Sequence, residues 1–310
     1  MALALTKAGV VRNPNSHANR TGRGSDSRPD GVLLAQPTTA EAVAGELQRF
    51  ADAGVGLIVV DGGDGTLREV LSALPQTYGE TPPVLAVLAS GKTNILALDL
   101  GAGPGWTLEA ALNRAAEPEP AMKTREPIEV SWSGCDQPPI RGFVFGLGAF
   151  VKATQMSQNV HRMGAYHNLS VALTLAGAAV GALFGGARDQ WRQGVSVQAS
   201  LDEEAPARGE RFLLMATTLK RLPFGLQPFG PPREGMKVLD VDAPPKRLHA
   251  AIPAVLRGSQ APWLAKNGYR RREAELVSLS LEQPVVIDGE IYPGGEIKVR
   301  KGAPMRFLAP

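Results

Sequence analysis

The sequence predicts an α/β protein in two domains. A parallel α/β layer over residues 1–125 is followed by a mostly antiparallel β-sandwich over 126–290, and residues 291–310 return to complete the first domain. Three observations carry this. Up to about residue 125, short apolar runs alternate with glycine-rich or polar turns and then with helical periods. From Glu126 the text changes to alternating, β-rich runs cut by glycine and proline. Between them, the proline-broken stretch EPEPAMKTREP reads as the boundary.

The elements follow in order. AGVVRNPNSH gives a first strand ending at Asn13-Pro14, and GVLLA a second ending before Pro37. TTAEAVAGELQRFADAG then reads as a helix started by Thr38 or Thr39 and closed by Gly54. GLIVVD is the third strand, with Leu57 to Val60 buried, and Leu67 to Leu74 form a helix stopped by Pro75. VLAVLA is the fourth strand, followed by SGKTN and a helical ILALDLG. In the second half, the candidate strands are IEVSWSG, PIRGFVFGLGAFV, GVSVQASL, RFLLMATTL, MKVLDV, AELVSLSLEQPVVIDGEIY and GEIKVRK.

Composition narrows the classes. With 44% hydrophobic and 20% charged residues in 310, the chain is a soluble globular type with enough length for two cores. A net charge of +3 without any long run of one sign argues against a nucleic-acid tail. The small basic clusters at Arg20, Arg23 and Arg28, at Lys220-Arg221 and at Arg270 to Arg272 read as solvated faces. One cysteine, Cys135, excludes an internal disulfide framework, and His17, His161, His167 and His249 lack zinc-ligand spacing. A cytoplasmic protein without a signal peptide is expected. The uncharged segment 168–187 approaches the length of a membrane span but is rich in Gly and Ala. It reads as a buried or groove-forming helix, with lipid contact the alternative and no true span expected.

The chemistry concentrates in DGGDGT, between the third strand and its helix. Gly62, Gly63 and Gly65 can take positive φ and let backbone N–H groups approach a ligand. Thr66 and Glu69 have the spacing of a capping box, which would fix the helix start and its dipole. A helix N-terminus at the carboxyl end of a parallel strand is a site for anions such as nucleotide phosphates. Asp64 would be repelled there unless Mg²⁺ stood between it and the phosphates, directly or through water. AVLASGKT ends like a P-loop, but Ala86 stands where that motif requires its first glycine.

Gly62-Gly63-Asp64-Gly65-Thr66 resembles the nucleotide-binding motif of the diacylglycerol kinase catalytic domain family. Its relatives include sphingosine and ceramide kinases and, more distantly, NAD kinases. Asn13-Pro14-Asn15-Ser16 stands where the lipid kinases carry Asn-Pro-x-Ser-Gly. Gly91-Lys92-Thr93-Asn94 falls where they carry Gly-Thr-x-Asn, and FGLGAFV resembles their glycine-rich strand. Asp288-Gly289-Glu290 resembles their closing Asp-Gly-Glu, followed by the terminal hairpin. The resemblance implies a two-domain kinase of NAD kinase/diacylglycerol kinase-like fold, with ATP and Mg²⁺ in a cleft and a lipid acceptor between the domains. The implied nucleotide set is Asn13, Pro14, Asn15, Ser16, His17, Thr38, Gly62, Gly63, Asp64, Gly65, Thr66, Gly91, Lys92, Thr93 and Asn94.

A carboxylate of Asp-Gly-Glu would take the acceptor hydroxyl proton, Glu290 being favoured as base with Asp288 in support. Glu234, in REGMKVLDV, is the metal candidate, against its reading as a solvated turn acid. Three positions depart from the pattern: His17 replaces a glycine, Lys92 a threonine, and Ile95 the aspartate found in many diacylglycerol kinases. The implied protein phosphorylates diacylglycerol or a similar lipid while touching a membrane peripherally, through 168–187, LKRLPFGLQPFGPP and nearby basic residues, and possible homodimerisation goes with it. The alternatives are an NAD kinase-like enzyme, whose Asn-Glu second motif is not found, and an inactive nucleotide or lipid sensor.

Overall fold

The computed structural model describes residues 7–20, 30–103, 105–162 and 192–310. The segment 168–187 and the Arg23 and Arg28 positions lie outside these. The chain divides into two compact units, one of Met1–Pro127, Ile140–Gly142 and Ala303–Pro310, the other of Ile128–Pro139 and Phe143–Gly302.

The first unit is built on β1 (Ala8–Arg12), β2 (Leu33–Ala35), β3 (Leu57–Gly62), β4 (Val84–Ala89), β5 (Met122–Arg125) and the last strand, β17 (Met305–Leu308), in the order β2-β1-β3-β4-β17-β5. Every pairing is parallel except that of β17 with β5. All six residues of β3 are buried, as the centre of a sheet covered on both faces requires. Its short apolar run therefore reads as continuous rather than alternating.

The helices of this unit are α1 (His17–Arg20), α2 (Ala40–Asp52), α3 (Asp64–Tyr78), α4 (Ile95–Leu100) and α5 (Leu108–Ala115). Thr39, not Thr38, caps α2, its hydroxyl accepting the Ala42 N–H at 3.2 Å. Val43, Leu47 and Phe50 form the buried stripe of that helix. A Cβ on Gly9 of β1 would lie 2.6 Å from the Phe50 ring, so the glycine is what lets Phe50 seat against the strand. Pro75 does not stop α3, which continues to Tyr78 and ends at Gly79 with φ 57°. A proline in the last turn removes one backbone donor without preventing the chain from completing that turn.

The second unit comprises β6 (Ile128–Trp132), β8 (Val144–Gly148), β9 (Val195–Leu201), β10 (Ala207–Thr217), β11 (Lys237–Asp242), β12 (Tyr269–Glu273), β13 (Leu276–Leu281), β14 (Val285–Ile287), β15 (Glu290–Tyr292) and β16 (Gly295–Lys301). The intervening β7 (Ile140–Gly142) belongs to the first unit. The path runs β15-β14-β8-β10-β9-β13-β16-β6, with β11 and then β12 branching from β10. The pairings along it are antiparallel, as the alternating pattern requires. The first half of β10 pairs with β9 and its second half with β8, and its register against β11 shifts between Arg211 and Leu213.

Among the described residues, three α-helices accompany this sheet: α6 (Ala149–Arg162), α7 (Leu248–Leu256) and α8 (Pro262–Lys266). The glycine-rich strand ends at Gly148, φ 68°, and Ala149 already opens α6, so the strand reading of GAFV is corrected. Residues 291–310 also divide. Gly295–Lys301 pairs with β13 and β6 in the second unit, and only Ala303–Pro310 returns to the first, where β17 lies beside β4.

Candidate functional site

Three loops meet at the carboxyl ends of β1, β3 and β4. The loop after β1 is tied to its neighbours by main-chain bonds from Asn13 N–H to the Asp61 carbonyl, 2.9 Å, and from Ala18 N–H to the Ser90 carbonyl, 3.0 Å. Asn13 turns its own chain by accepting the Asn15 N–H at 2.9 Å, and its amide donates to the Thr66 hydroxyl at 3.1 Å. Asn94 closes the loop after β4, accepting from Gly91 N–H at 2.7 Å and donating to the Gly91 carbonyl at 2.9 Å.

The glycines of the central loop work by close approach. None of Gly62, Gly63 or Gly65 has positive φ, which corrects the expectation from sequence. A Cβ on Gly62 would fall 2.7 Å from the Thr66 side chain, and one on Gly91 would fall 2.4 Å from the Gly63 Cα. Backbone thus lies directly on backbone where the second and third loops touch, and any side chain there would force them apart.

The capping box is corrected as well. Helix α3 begins at Asp64 with Gly63 as its cap residue and no side-chain cap bond, so Thr66 lies inside the first turn. Its hydroxyl serves Asn13 instead. The uncapped start leaves the N–H groups of Gly65 and Thr66 without an acceptor among the described residues, and they lie at the positive end of the α3 dipole. The Ser16 hydroxyl in the adjacent loop is buried and likewise has no partner among the described residues.

Asp64 is partly buried and accepts the Ile95 N–H at 2.8 Å, so its carboxylate caps the short helix α4. Desolvation pushes its carboxyl up to about 6, against the opposing pull of the Ile95 and Asn94 amides and the charge of Arg68. Helix α4 is held at its other end by a Lys123 ammonium bond to the Leu100 carbonyl, 2.6 Å, and by the buried Arg125–Asp99 ion pair. With both ends fixed, a six-residue helix holds the Gly91 to Asn94 loop in place.

Sequence reasoning missed the residues beneath the loops. Arg12 and Asp61 are register partners on β1 and β3, and form a buried ion pair of 2.7 Å. Asp61 also accepts from the Ser90 hydroxyl at 2.5 Å and the Asn19 amide at 3.3 Å. One carboxylate therefore ties the ends of β1, β3 and β4 together. The available signal was a charge closing each of two otherwise apolar strands.

The second candidate cluster lies in the other unit. Asp288 (φ 45°) and Gly289 (φ 83°) are a two-residue turn joining β14 to β15, with Ile287 opposite Glu290. Both central residues have positive φ, as in a type I′ hairpin. The Asp288 carboxylate accepts the Phe143 N–H at 3.0 Å and the Val144 N–H at 2.8 Å, and its own N–H returns to the Val144 carbonyl at 2.9 Å. From α6, the Gln158 amide donates to the Gly289 carbonyl at 3.0 Å. Glu290, at the start of β15, is exposed, and no described residue bonds its carboxylate.

The remaining candidates are placed as follows. His17 opens α1, Pro14 and Asn15 are exposed in the first loop, and Lys92 and Thr93 form the tip between Gly91 and Asn94. Thr38 is exposed ahead of α2, and no hydrogen bond joins it to the three loops. Glu234 makes an exposed ion pair with Lys220. Among the described residues no group of three or more His, Cys, Asp or Glu could hold a metal, so Glu234 lacks the company of a protein-built cage.

A parallel α/β unit with a glycine-packed strand-to-helix turn, followed in the chain by an antiparallel unit, defines the protein's class as a two-unit α/β fold. Residues 8–122 match the sequence model of the diacylglycerol kinase catalytic domain. A relative named "Probable lipid kinase YegS-like", from Citrobacter koseri, is 34% identical over 94 residues, 26% of this chain and 31% of the relative. "Probable lipid kinase YegS", from Escherichia fergusonii, is 36% identical over 78 residues, 24% of this chain and 25% of the relative. The matched stretch thus spans a third or less of those relatives. The solved structure of a diacylglycerol kinase from Bacillus anthracis aligns over 98% of this chain and 97% of its own, with TM-score 0.63 at 15% identity, a likeness of fold.

Proposed function

We propose that the chain transfers the γ-phosphate of ATP to a hydroxyl of diacylglycerol or a similar lipid. The carrying observation is the backbone-on-backbone packing of Gly63 and Gly91, which gathers the three loops around the uncapped start of α3. Phosphoryl transfer asks a protein mainly for positioning and charge neutralisation, and such a cradle supplies both. The Gly65 and Thr66 N–H groups and the α3 dipole are donors suited to phosphate oxygens.

Mg²⁺ fits this donor set. A desolvated Asp64 with a raised pKa favours a nearby cation, and a single carboxylate with no surrounding cage matches an ion held mostly by water and substrate phosphates. When bound, the ion would neutralise charge on the transferring phosphate. Asp64 would hold it while keeping α4 in register. In the second unit, Glu290 takes the proton of the acceptor hydroxyl, and Asp288 positions it by fixing the turn to β8.

The test is transfer of label from γ-labelled ATP with Mg²⁺ into mixed micelles carrying a lipid panel, with NAD in a parallel tube. Labelled phosphatidic acid or another phospholipid is expected. Label in NADP would overturn the lipid reading. ATP binding with no label moved would favour the sensor.

A further inference from the structure

The backbone at Phe224 is unusual for its residue type. Pro223 to Leu226 form a tight turn closed by Leu226 N–H to the Pro223 carbonyl at 3.2 Å. Its central residues, Phe224 (φ 59°, ψ 18°) and Gly225 (φ 66°), are both left-handed. Such turns select Gly, Asn or Asp at the first central position, because a Cβ beside the following carbonyl is strained and a large side chain brings no local hydrogen bond. Here a phenylalanine occupies it and is 64% exposed, so burial within the chain does not offset the strain.

The rest of the loop is anchored. Leu222 packs against the core of Phe229, Leu239, Val241 and Val255, and Gln227 N–H donates to the Leu256 carbonyl at 2.8 Å. The turn is therefore a firm mount that holds one aromatic ring outward. Among the described residues, the other large hydrophobic side chain classed as exposed is Leu98, at 45%.

Charge indicates the occupant. From Thr217 to Arg233 the chain carries Lys220, Arg221 and Arg233 and no acidic residue, while Lys220 pairs with Glu234, next in line, and Arg233 with Glu273 of β12. An aromatic tip flanked by cations suits the headgroup region of an anionic bilayer, where the ring enters the acyl boundary and the cations remain among phosphates.

We propose that the Pro223–Leu226 turn is the chain's membrane anchor, inserting Phe224 into the interface of an anionic lipid surface. This deepens the lipid-kinase reading, but binding is measured without turnover, so either can fail alone. The experiment is co-sedimentation of the full chain with phosphatidylcholine vesicles containing or lacking phosphatidylserine, for wild type, Phe224→Asn and Phe224→Asp. Asn suits the left-handed turn, so Phe224→Asn is expected to keep or raise Tm while reducing binding to the phosphatidylserine vesicles at least fivefold. Phe224→Asp should abolish that binding. Wild type should bind vesicles lacking phosphatidylserine far less. The proposal is overturned if folded Phe224→Asn binds as wild type does, or if wild type binds neither vesicle. It is also overturned if sedimentation shows a concentration-dependent dimer that either variant dissolves, which would make the turn a contact between two copies.

Discussion

Asp64 in the first unit and Asp288 in the second both accept backbone N–H groups, yet their surroundings differ. Asp288 receives the amides of Phe143 and Val144, where β8 begins, and is thereby committed to holding a turn. Asp64 receives the Ile95 amide while desolvation pushes its carboxyl up to about 6, which leaves it under-compensated. An aspartate with its lone pairs served by the fold is architecture, whereas one left in electrostatic deficit suits a cation-dependent site. The same logic separates Asp288 from Glu290. A continuous strand would put residues 288 and 290 on one face, but the turn between them secures the first and leaves the second exposed.

The contrast is broken most severely at Asp64. Asp64→Ala is expected to abolish transfer, because the cation site and the cap of α4 go together; turnover within tenfold of wild type would return Asp64 to architecture. Next is Gly91→Ala. Its new Cβ must push against the Gly63 Cα, and overpacking of this kind costs about 1–3 kcal/mol. ATP affinity should fall at least tenfold in calorimetry, and unchanged affinity would show that the two loops need not touch.

A milder change is Asp288→Asn, which keeps one acceptor oxygen and tolerates the left-handed turn. A loss of about 1 kcal/mol in urea unfolding is expected, with ATP binding untouched. Loss of all transfer in this variant while it remains fully stable would move the base from Glu290 to Asp288.

The smallest effect is the pH dependence of stability. Asp64 has a folded pKa raised above its ordinary value of 3.8, so the folded state takes up a proton that the unfolded chain has released. Its contribution to stability is present below about 4 and declines as pH rises toward 6. Asp64→Asn should therefore gain relative to wild type between pH 4 and pH 7 in denaturant titrations. A constant difference across that range would remove the claim of an electrostatic deficit.

The parallel layer was legible because buried strands leave unbroken apolar runs, and β1, β3 and β4 follow those runs closely. What the glycines do was not legible. Freedom of φ and room for a close neighbour demand the same residue, and only the fold reveals that Gly63 and Gly91 need the room. Strand β12 was hidden for a different reason. YRRRE reads as a basic surface, but Arg270 pairs with Asp240 and Asp242 on β11 and Arg272 with Glu204, while Arg271 donates to the Pro228, Val255 and Ser259 carbonyls. Partners separated by 12 to 68 residues leave no local trace. The Asp61 hub was missed because its neighbours come from three strand ends that only the sheet order brings together.

The central claim assigns nucleotide binding to the loops of the first unit and proton removal to Glu290 of the second. Glu290→Gln tests it most directly, with ATP binding and transfer to diacylglycerol micelles measured on one preparation. The account predicts wild-type ATP affinity with transfer reduced about 10²–10⁴-fold, the usual worth of a general base. Wild-type transfer by Glu290→Gln would contradict it.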